Sequence, residues 1–178
     1  LYRRIIKPHQ RRYFEFVKSK TKAKLIYHCC GSYHELIPDL IEIGVDVFTP
    51  IQPRAEGMDF ARLKREYGKD TCFWGVIDTQ HLLPFGTEEE VWDECRRAID
   101  VLAPGGGFVF APSHCIQWDV PLSNFLAMTG VPLSMEDKGS NFLGLNQFEG
   151  RGVGGNTGRG LRPRPSRIGI IVREKAIK

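Results

Sequence analysis

Apolar and polar positions follow two different periods along the first 130 residues. Short apolar runs rich in β-branched and aromatic residues predict four strands, at residues 23–28, 45–48, 71–74 and 108–111. Apolar positions at helical spacing predict helices at residues 11–18, 36–41, 59–67 and 87–102, and a short one around 124–128. Thr87 and Glu90 have the spacing of a capping box, which marks the start of the 87–102 helix.

This regular alternation predicts the fold class. Short connections between apolar strands and amphipathic helices favour an α/β fold with a parallel sheet. Four strand–helix units are half of an eight-unit (β/α)8 barrel, the TIM barrel. We therefore expect residues 1–129 to form a half barrel, with an unpaired strand edge on each side that is a liability for a chain on its own.

The periodic pattern stops near Gly130. Residues 139–169 are crowded with Gly, Arg, Pro and Asn, a composition that buries too little apolar surface to offset the loss of chain entropy. We therefore expect the Gly/Arg-rich tail, residues 130–178, to be largely disordered, with at most a short strand at 168–172.

Charge is unevenly distributed between these two parts. Residues 151–178 contain eight Lys or Arg and one Glu, although the whole chain has a net charge of only +4. The body is therefore net acidic and gives no electrostatic reason to expect nucleic acid as a partner. No apolar run is long enough to cross a membrane. The chain lacks both an initiator Met and the apolar core of a signal peptide, so we expect a cytoplasmic protein whose start has been trimmed.

His and Cys residues follow the predicted strands. His28 and Cys30 are two positions apart at the end of the first strand, so their side chains should share one face while that of Cys29 points away. Nitrogen and sulfur donors together favour Zn²⁺, and a catalytic zinc site has three protein ligands. The third is expected from His114 or Cys115, after the fourth strand. The alternative is that these thiols are buried and inert.

Asp78 follows the third strand at the same end of the predicted sheet. It is a candidate for orienting a substrate or a metal-binding His, and equally for capping its own loop before Thr79. The three Trp residues, Trp74, Trp92 and Trp118, are predicted to pack in the core or at its rim.

Several motifs in order resemble the uroporphyrinogen decarboxylase superfamily. They are Tyr27 to Ser32 (YHCCGS), Ala55 to Asp59 (AEGMD), Phe73 to Gln80 (FWGVIDTQ), Leu102 to Gly107 (LAPGGG) and Ala111 to His114 (APSH). The resemblance covers roughly residues 1–128. It implies the C-terminal half of a TIM barrel, with the N-terminal half of the family's barrel absent.

The resemblance also implies two kinds of activity. One branch of the superfamily binds zinc through an H-x-C motif and a later Cys, and transfers methyl groups to or from a thiol or a corrinoid protein. His28-x-Cys30 is similar to that motif, but the fourth strand ends in Ser113-His114-Cys115 in place of Gly-Cys. The other branch decarboxylates uroporphyrinogen in porphyrin biosynthesis without a metal, and there His114 and Asp78 would be the catalytic residues.

Three functional hypotheses follow. The first is part of a zinc-dependent methyltransferase, with His28, Cys30 and His114 or Cys115 as ligands and a small molecule or corrinoid protein as partner. The second is a metal-free lyase of the decarboxylase branch. The third is an inactive remnant, or a half barrel that needs the missing half or a second copy of itself.

Overall fold

The computed structural model of the chain describes residues 1–136, with side chains up to Val131. The helices and strands of this part are α1 (Tyr2–Lys20), β1 (Ile26–His28), α2 (Ile37–Glu42), β2 (Val47–Thr49), α3 (Phe60–Tyr67), β3 (Cys72–Trp74), α4 (Leu82–Phe85), α5 (Glu88–Leu102), β4 (Phe108–Val109) and α6 (Leu122–Glu136). One turn of 3-10 helix, His34–Leu36, leads into α2.

The strands form one parallel sheet in the order β1-β2-β3-β4. Strand neighbours in the chain are therefore neighbours in space, which confirms the predicted α/β arrangement of successive strand–helix units. Because all four strands run in the same direction, their carboxyl ends lie along one edge of the sheet.

The two faces of the sheet have different surroundings. One face contributes aromatic side chains to the main core, where they pack with the apolar faces of the helices: Tyr27, Phe48, Phe73 and Phe108. The alternate positions point to the other face, where Val47, Cys72 and Val109 form a small separate cluster with Trp74. Among the described residues, no helix contributes a side chain to this second cluster.

Helix α5 begins and packs as its sequence predicts. The Thr87 hydroxyl accepts a hydrogen bond from the Glu90 N–H, and the Glu90 carboxylate accepts one from the Thr87 N–H. The residues that α5 buries are those expected from the helical period: Val91, Cys95, Ala98, Ile99 and Leu102. Asp59 likewise caps α3, where its side chain accepts from the Arg62 N–H.

Helix α1 docks on α2 through charged side chains. Arg3 and Lys7 donate hydrogen bonds to the carboxylate of Asp39, at 2.8 and 2.5 Å. Arg11 donates to Glu42, which also accepts from Lys7. Phe14 is the buried residue of α1 in the main core. An apolar period therefore marks only part of this helix, which explains why the sequence predicted residues 11–18 and the structure extends it to Tyr2–Lys20.

Two further elements differ from the sequence prediction. Helix α4 was not predicted, and α6 continues through Gly130 to Glu136 although the helical pattern was expected to stop near Met128. Tertiary packing explains the continuation. The Asn124 amide donates to Leu83 O and Gly86 O, and Gly130 lies so close to Trp92 that a Cβ would be 3.2 Å from its ring.

The expectations for other regions had mixed outcomes. Trp118 was predicted to pack, but its side chain is 96% exposed. The short strand predicted at 168–172 lies outside the described residues, as does most of the tail. Within residues 1–136, no helix combines the length and apolar character that crossing a membrane requires.

Replacing Asp39 by Asn should lower the free energy of unfolding at pH 7 by on the order of 1 kcal/mol, because Arg3 and Lys7 lose a charged acceptor. The hydrogen bonds from Lys7 and Arg3 lower the pKa of Asp39 below its ordinary value. The carboxylate therefore contributes fully above its ordinary pKa of about 4, and the contribution is lost progressively as the pH falls from that value through the lower pKa of the folded state.

Urea unfolding of the two proteins between pH 7 and pH 3 measures this difference. The stability gap should be largest at pH 7 and should narrow as the pH falls toward 3. Asp100→Asn is the matched control, since its ion pair with Arg96 spans 3.8 Å between two exposed side chains. A gap independent of pH, or an equal loss in the control, would contradict the role of Asp39.

Candidate functional site

The candidate site lies at the carboxyl ends of the strands, where parallel α/β folds place their functional groups. Strand ends are tied to one another by backbone hydrogen bonds: Cys29 N–H donates to Thr49 O, Ile51 N–H to Gly75 O and Ser113 N–H to Ile77 O. The loops that follow the four strands are therefore fixed side by side.

His28 and Cys30 come together at the end of β1. The Sγ of Cys30 lies 3.5 Å from Nε2 of His28, and both side chains are exposed. Cys29, between them, is half-buried and packs against the main core. This confirms the predicted alternation, with His28 and Cys30 on one side and Cys29 on the other.

The spacing of this pair fits two ligands of one zinc ion. Tetrahedral zinc with a Zn–S bond of about 2.3 Å and a Zn–N bond of about 2.05 Å would hold sulfur and nitrogen about 3.6 Å apart. The same spacing suits a hydrogen bond between thiol and imidazole in the absence of metal. The donor set and its geometry therefore fit half of a zinc site.

A chain of amide hydrogen bonds supports the loop that carries Cys30. Gly31 N–H donates to Oε1 of Gln52 at 2.8 Å, and Nε2 of Gln52 donates to Oε1 of Gln80 at 2.8 Å. Gly31 has φ of +84°, a conformation that favours glycine, and this turn presents its N–H to Gln52. One side chain from the β2 loop thus connects the β1 loop to the β3 loop.

The sequence analysis did not identify Gln52 as a functional residue. The sequence signal that could have identified Gln52 is its position just after β2, since the loop after β1, with the His-x-Cys-Gly motif, lies at the same edge of the sheet. Nothing in a pattern of apolar positions identifies which polar side chain meets which loop, so the Gln52–Gln80 contact needed the structure.

Asp78 is buried, and its carboxylate accepts a hydrogen bond from the Gln80 N–H at 2.8 Å. It therefore caps its own loop, which was one of the two readings of this residue. It also lines an open cleft beside α5, whose other lining side chains include Arg54, Leu82 and Arg97. Gln80 connects Asp78 to the hydrogen-bond chain that begins at Gly31. Its backbone N–H donates to Asp78, and its side-chain oxygen accepts from Gln52.

His114 and Cys115 lie on the loop after β4, and both side chains are exposed. Ser113 anchors this loop, since it is buried and its hydroxyl lies 3.3 Å from that of Thr79. Within the described residues, no three His, Cys, Asp or Glu side chains are grouped closely enough to hold a metal ion. The structure thus brings together His28 and Cys30, and it does not bring His114 or Cys115 to them.

The remaining cysteines belong to the interior. Burial raises the pKa of Cys72 to about 11 and that of Cys95 to about 12. Burial also raises the pKa of Cys29, and the neighbouring Cys30 adds to this effect. The alternative that the thiols of the candidate site are buried is therefore wrong for Cys30 and Cys115, which face solvent, whereas Cys72 and Cys95 are buried.

Comparison with known proteins identifies the family. The family model described as uroporphyrinogen decarboxylase (URO-D) matches residues 1–131. The chain belongs to the uroporphyrinogen decarboxylase family. The resemblance in the sequence motifs is thereby confirmed.

The relatives of this uroporphyrinogen decarboxylase family member include methyltransferases. A methylated-thiol–coenzyme M methyltransferase from Methanosarcina mazei is 25% identical over 130 residues, which are 71% of this chain and 31% of that protein. In structure, the chain is similar to a methyltransferase from Methanosarcina mazei, with a TM-score of 0.59 and 17% identity over 76% of this chain and 37% of that one. The fold is therefore part of a TIM barrel, and the chain spans about a third of the length of these relatives.

Solvent exposure predicts which thiols of this family member react. In the native chain, Cys30 and Cys115 should react rapidly with Ellman's reagent, whereas Cys72 and Cys95 should react only on unfolding because they are buried and their pKa values are raised. Cys30→Ser and Cys115→Ser should each remove one rapid equivalent. Rapid reaction of Cys72 or Cys95 in the folded chain would contradict this assignment.

Replacing Gln52 by Leu should loosen the turn after Cys30, because Gly31 N–H loses its acceptor. One hydrogen bond has a net value of about 0.5–1.5 kcal/mol, which corresponds to roughly twofold to tenfold faster hydrogen exchange at Gly31. Gln117→Leu is the matched control, since its amide donates to the carbonyl of the nearby Cys115 within the β4 loop. Unchanged exchange at Gly31 in Gln52→Leu would show that the contact does not hold the loop.

Proposed function

We propose that the chain is part of a zinc-dependent methyltransferase, which transfers a methyl group to or from a thiol or a corrinoid protein. The observation that supports this most strongly is the 3.5 Å spacing of Cys30 Sγ and His28 Nε2 at the carboxyl end of β1. Zinc bound there would lower the pKa of a coordinated thiol, so that a thiolate nucleophile is available at neutral pH.

The residues of the chain have distinct roles in this proposal. His28 and Cys30 supply the nitrogen and sulfur donors, and their exposure leaves them accessible to a substrate. Gln52 fixes the turn at Gly31, directly after Cys30, and Asp78 supports that turn from the end of the hydrogen-bond chain. Gln52 and Asp78 are therefore positioning residues.

A third donor completes a catalytic zinc site. His114 and Cys115 are the sequence candidates, and both are exposed on the β4 loop at the same edge of the sheet. Movement of that loop, or a donor from outside the described residues, would be needed to complete the set.

One relative supports methyl transfer over decarboxylation. The curated relative is named for a methylated thiol and coenzyme M, and this chain matches 31% of its length. Sulfur chemistry of that kind gives Cys30 a role, which a metal-free decarboxylase does not. Methyl transfer is therefore the activity that we propose for this chain.

Metal content of the purified chain tests the proposal. After zinc loading and dialysis, elemental analysis should give about one zinc ion per chain, as expected for one site built on the His-x-Cys pair. His28→Ala and Cys30→Ser should each abolish binding. With Co²⁺ in place of Zn²⁺, a thiolate-to-metal absorption band should appear and should be absent in Cys30→Ser.

Two variants serve as matched controls. Cys29→Ser changes the adjacent thiol, which packs toward the core, and His81→Ala changes an exposed His on the β3 loop. Both should retain zinc. Equal zinc content in the wild type and in the double variant His28→Ala/Cys30→Ser would rule out this site and favour the metal-free branch of the family.

A further inference from the structure

Exposed apolar side chains are grouped where the end of α4 meets the start of α6. Phe85, the last residue of α4, is 78% exposed. Leu122 and Leu126, one turn apart at the start of α6, are 70% and 56% exposed. The Asn124 amide donates to Gly86 O at 2.7 Å, which holds the two helices together at this point. Apolar surface grouped in this way indicates contact with another polypeptide segment.

The first turn of α5 places two acidic side chains beside this apolar group. Glu88 and Glu89 follow Phe85 by three and four residues, and both are exposed. They precede Trp92 by one turn of helix, and Trp92 lies against Gly130 of α6. Glu88 and Glu89 are therefore on the side of α5 that faces α6.

These side chains form one surface, which we call the α4–α6 face: Phe85, Glu88, Glu89, Leu122 and Leu126. It combines an apolar centre with an acidic border. The two arginines of α5 do not neutralise this border, because Arg96 pairs with Asp100 and Arg97 pairs with Glu94. A segment that is complementary to the face therefore needs aliphatic side chains together with positive charge.

The chain itself contains a segment of this composition, outside the described residues. Residues 161–173 read LRPRPSRIGIIVR, with four Arg, five Leu, Ile or Val, and no acidic residue. An Arg side chain can donate two hydrogen bonds to one carboxylate, which suits the acidic border. The aliphatic run at 168–172 has the character that the apolar centre requires.

The length of the chain allows this segment to return to the α4–α6 face. Helix α6 has 15 residues, so its two ends are about 22 Å apart. Residues 137–160 connect α6 to the segment, and an extended stretch of that length spans up to about 80 Å. Because segment and face belong to one chain, the local concentration of the segment at the face is on the order of millimolar, so several weak contacts are enough for binding.

We infer that residues 161–173 dock on the α4–α6 face of their own chain. The aliphatic run covers Phe85, Leu122 and Leu126, and the arginines pair with Glu88 and Glu89. The docked segment would hold the start of α6, which directly follows the loop after β4.

Charge distinguishes this face from the other exposed apolar group, on α1. Tyr13 and Phe16 are 65% and 61% exposed, and Arg12 lines the same shallow surface. The Nζ of Lys20 lies 5.6 Å from the centroid of the Phe16 ring. Positive charge at this site repels an Arg-rich segment, whereas the acidic border of the α4–α6 face attracts it. The inference depends on this complementarity and not on zinc.

Photo-cross-linking of the full chain tests the inference. p-Benzoylphenylalanine is introduced in place of Phe85, whose exposed ring can be enlarged without disturbing the core. After illumination, mass spectrometry should find adducts between position 85 and residues 161–173 within monomeric protein. The same group in place of Tyr13 is the matched control, since that position is similarly exposed on a basic surface, and it should give no adduct with 161–173.

Charge variants of the full chain separate specific docking from general attraction. The triple variant Arg162→Glu/Arg164→Glu/Arg167→Glu should lower the adduct yield from position 85 roughly fivefold or more, because the charge pairs are lost. About 1 M NaCl should also lower the yield, since the Debye length is then about 3 Å. Arg151→Glu/Arg159→Glu/Lys178→Glu is the matched control. It changes the net charge equally, outside the segment, and should keep the yield.

Three outcomes would overturn the inference. Adducts of dimer mass, with a yield that rises with protein concentration, would make the segment of a second copy the occupant. Adducts from position 85 at other residues only, or none, would show that 161–173 does not dock on this face. Equal yields from positions 85 and 13, or an equal loss in both triple variants, would show attraction without a specific site.

Discussion

Parallel pairing of the four strands in chain order is the constraint on which the rest of the structure depends. Backbone hydrogen bonds between β1, β2, β3 and β4 bring four carboxyl ends to one edge, and the loops that follow inherit their positions from that edge. The period of two within each strand then separates side chains into two sets. The core between the sheet and the helices contains Tyr27, Phe48 and Phe73. His28 lies on the other face, where its side chain is exposed.

The five cysteines show how burial assigns chemistry to identical side chains. Cys72 and Cys95 are held in apolar surroundings that raise the pKa of each thiol, so they act as small apolar residues. Cys30 instead faces solvent beside an imidazole, on a turn fixed by Gln52. The same difference in burial occurs within one short loop, where Cys29 packs against the core and the adjacent Cys30 is exposed.

Membership of the uroporphyrinogen decarboxylase family raises the question of how much of an active site one partial barrel contains. The chain spans about a third of the length of its methyltransferase relatives, and its described part brings the Cys30 Sγ to 3.5 Å from the His28 Nε2. A barrel active site draws residues from the ends of several strands around the whole ring. The part of the chain that the structure describes therefore supplies the residues that follow β1 to β4.

The sequence by itself determined the local features whose physics is short-range. The capping box of Thr87 and Glu90, the buried face of α5 and the shared side of His28 and Cys30 each depend on residues within a few positions of one another, and the structure confirmed them. The family motifs likewise identified the barrel. The tertiary structure decided what depends on contacts between distant residues. It extended α1 through ion pairs with Asp39 and Glu42, continued α6 past Gly130 against Trp92, and joined Gly31, Gln52 and Gln80 into one hydrogen-bond chain. Periodicity carries no information about such partners, because they lie tens of residues apart in the chain. They come into contact only after the strands have paired and the helices have packed on the sheet.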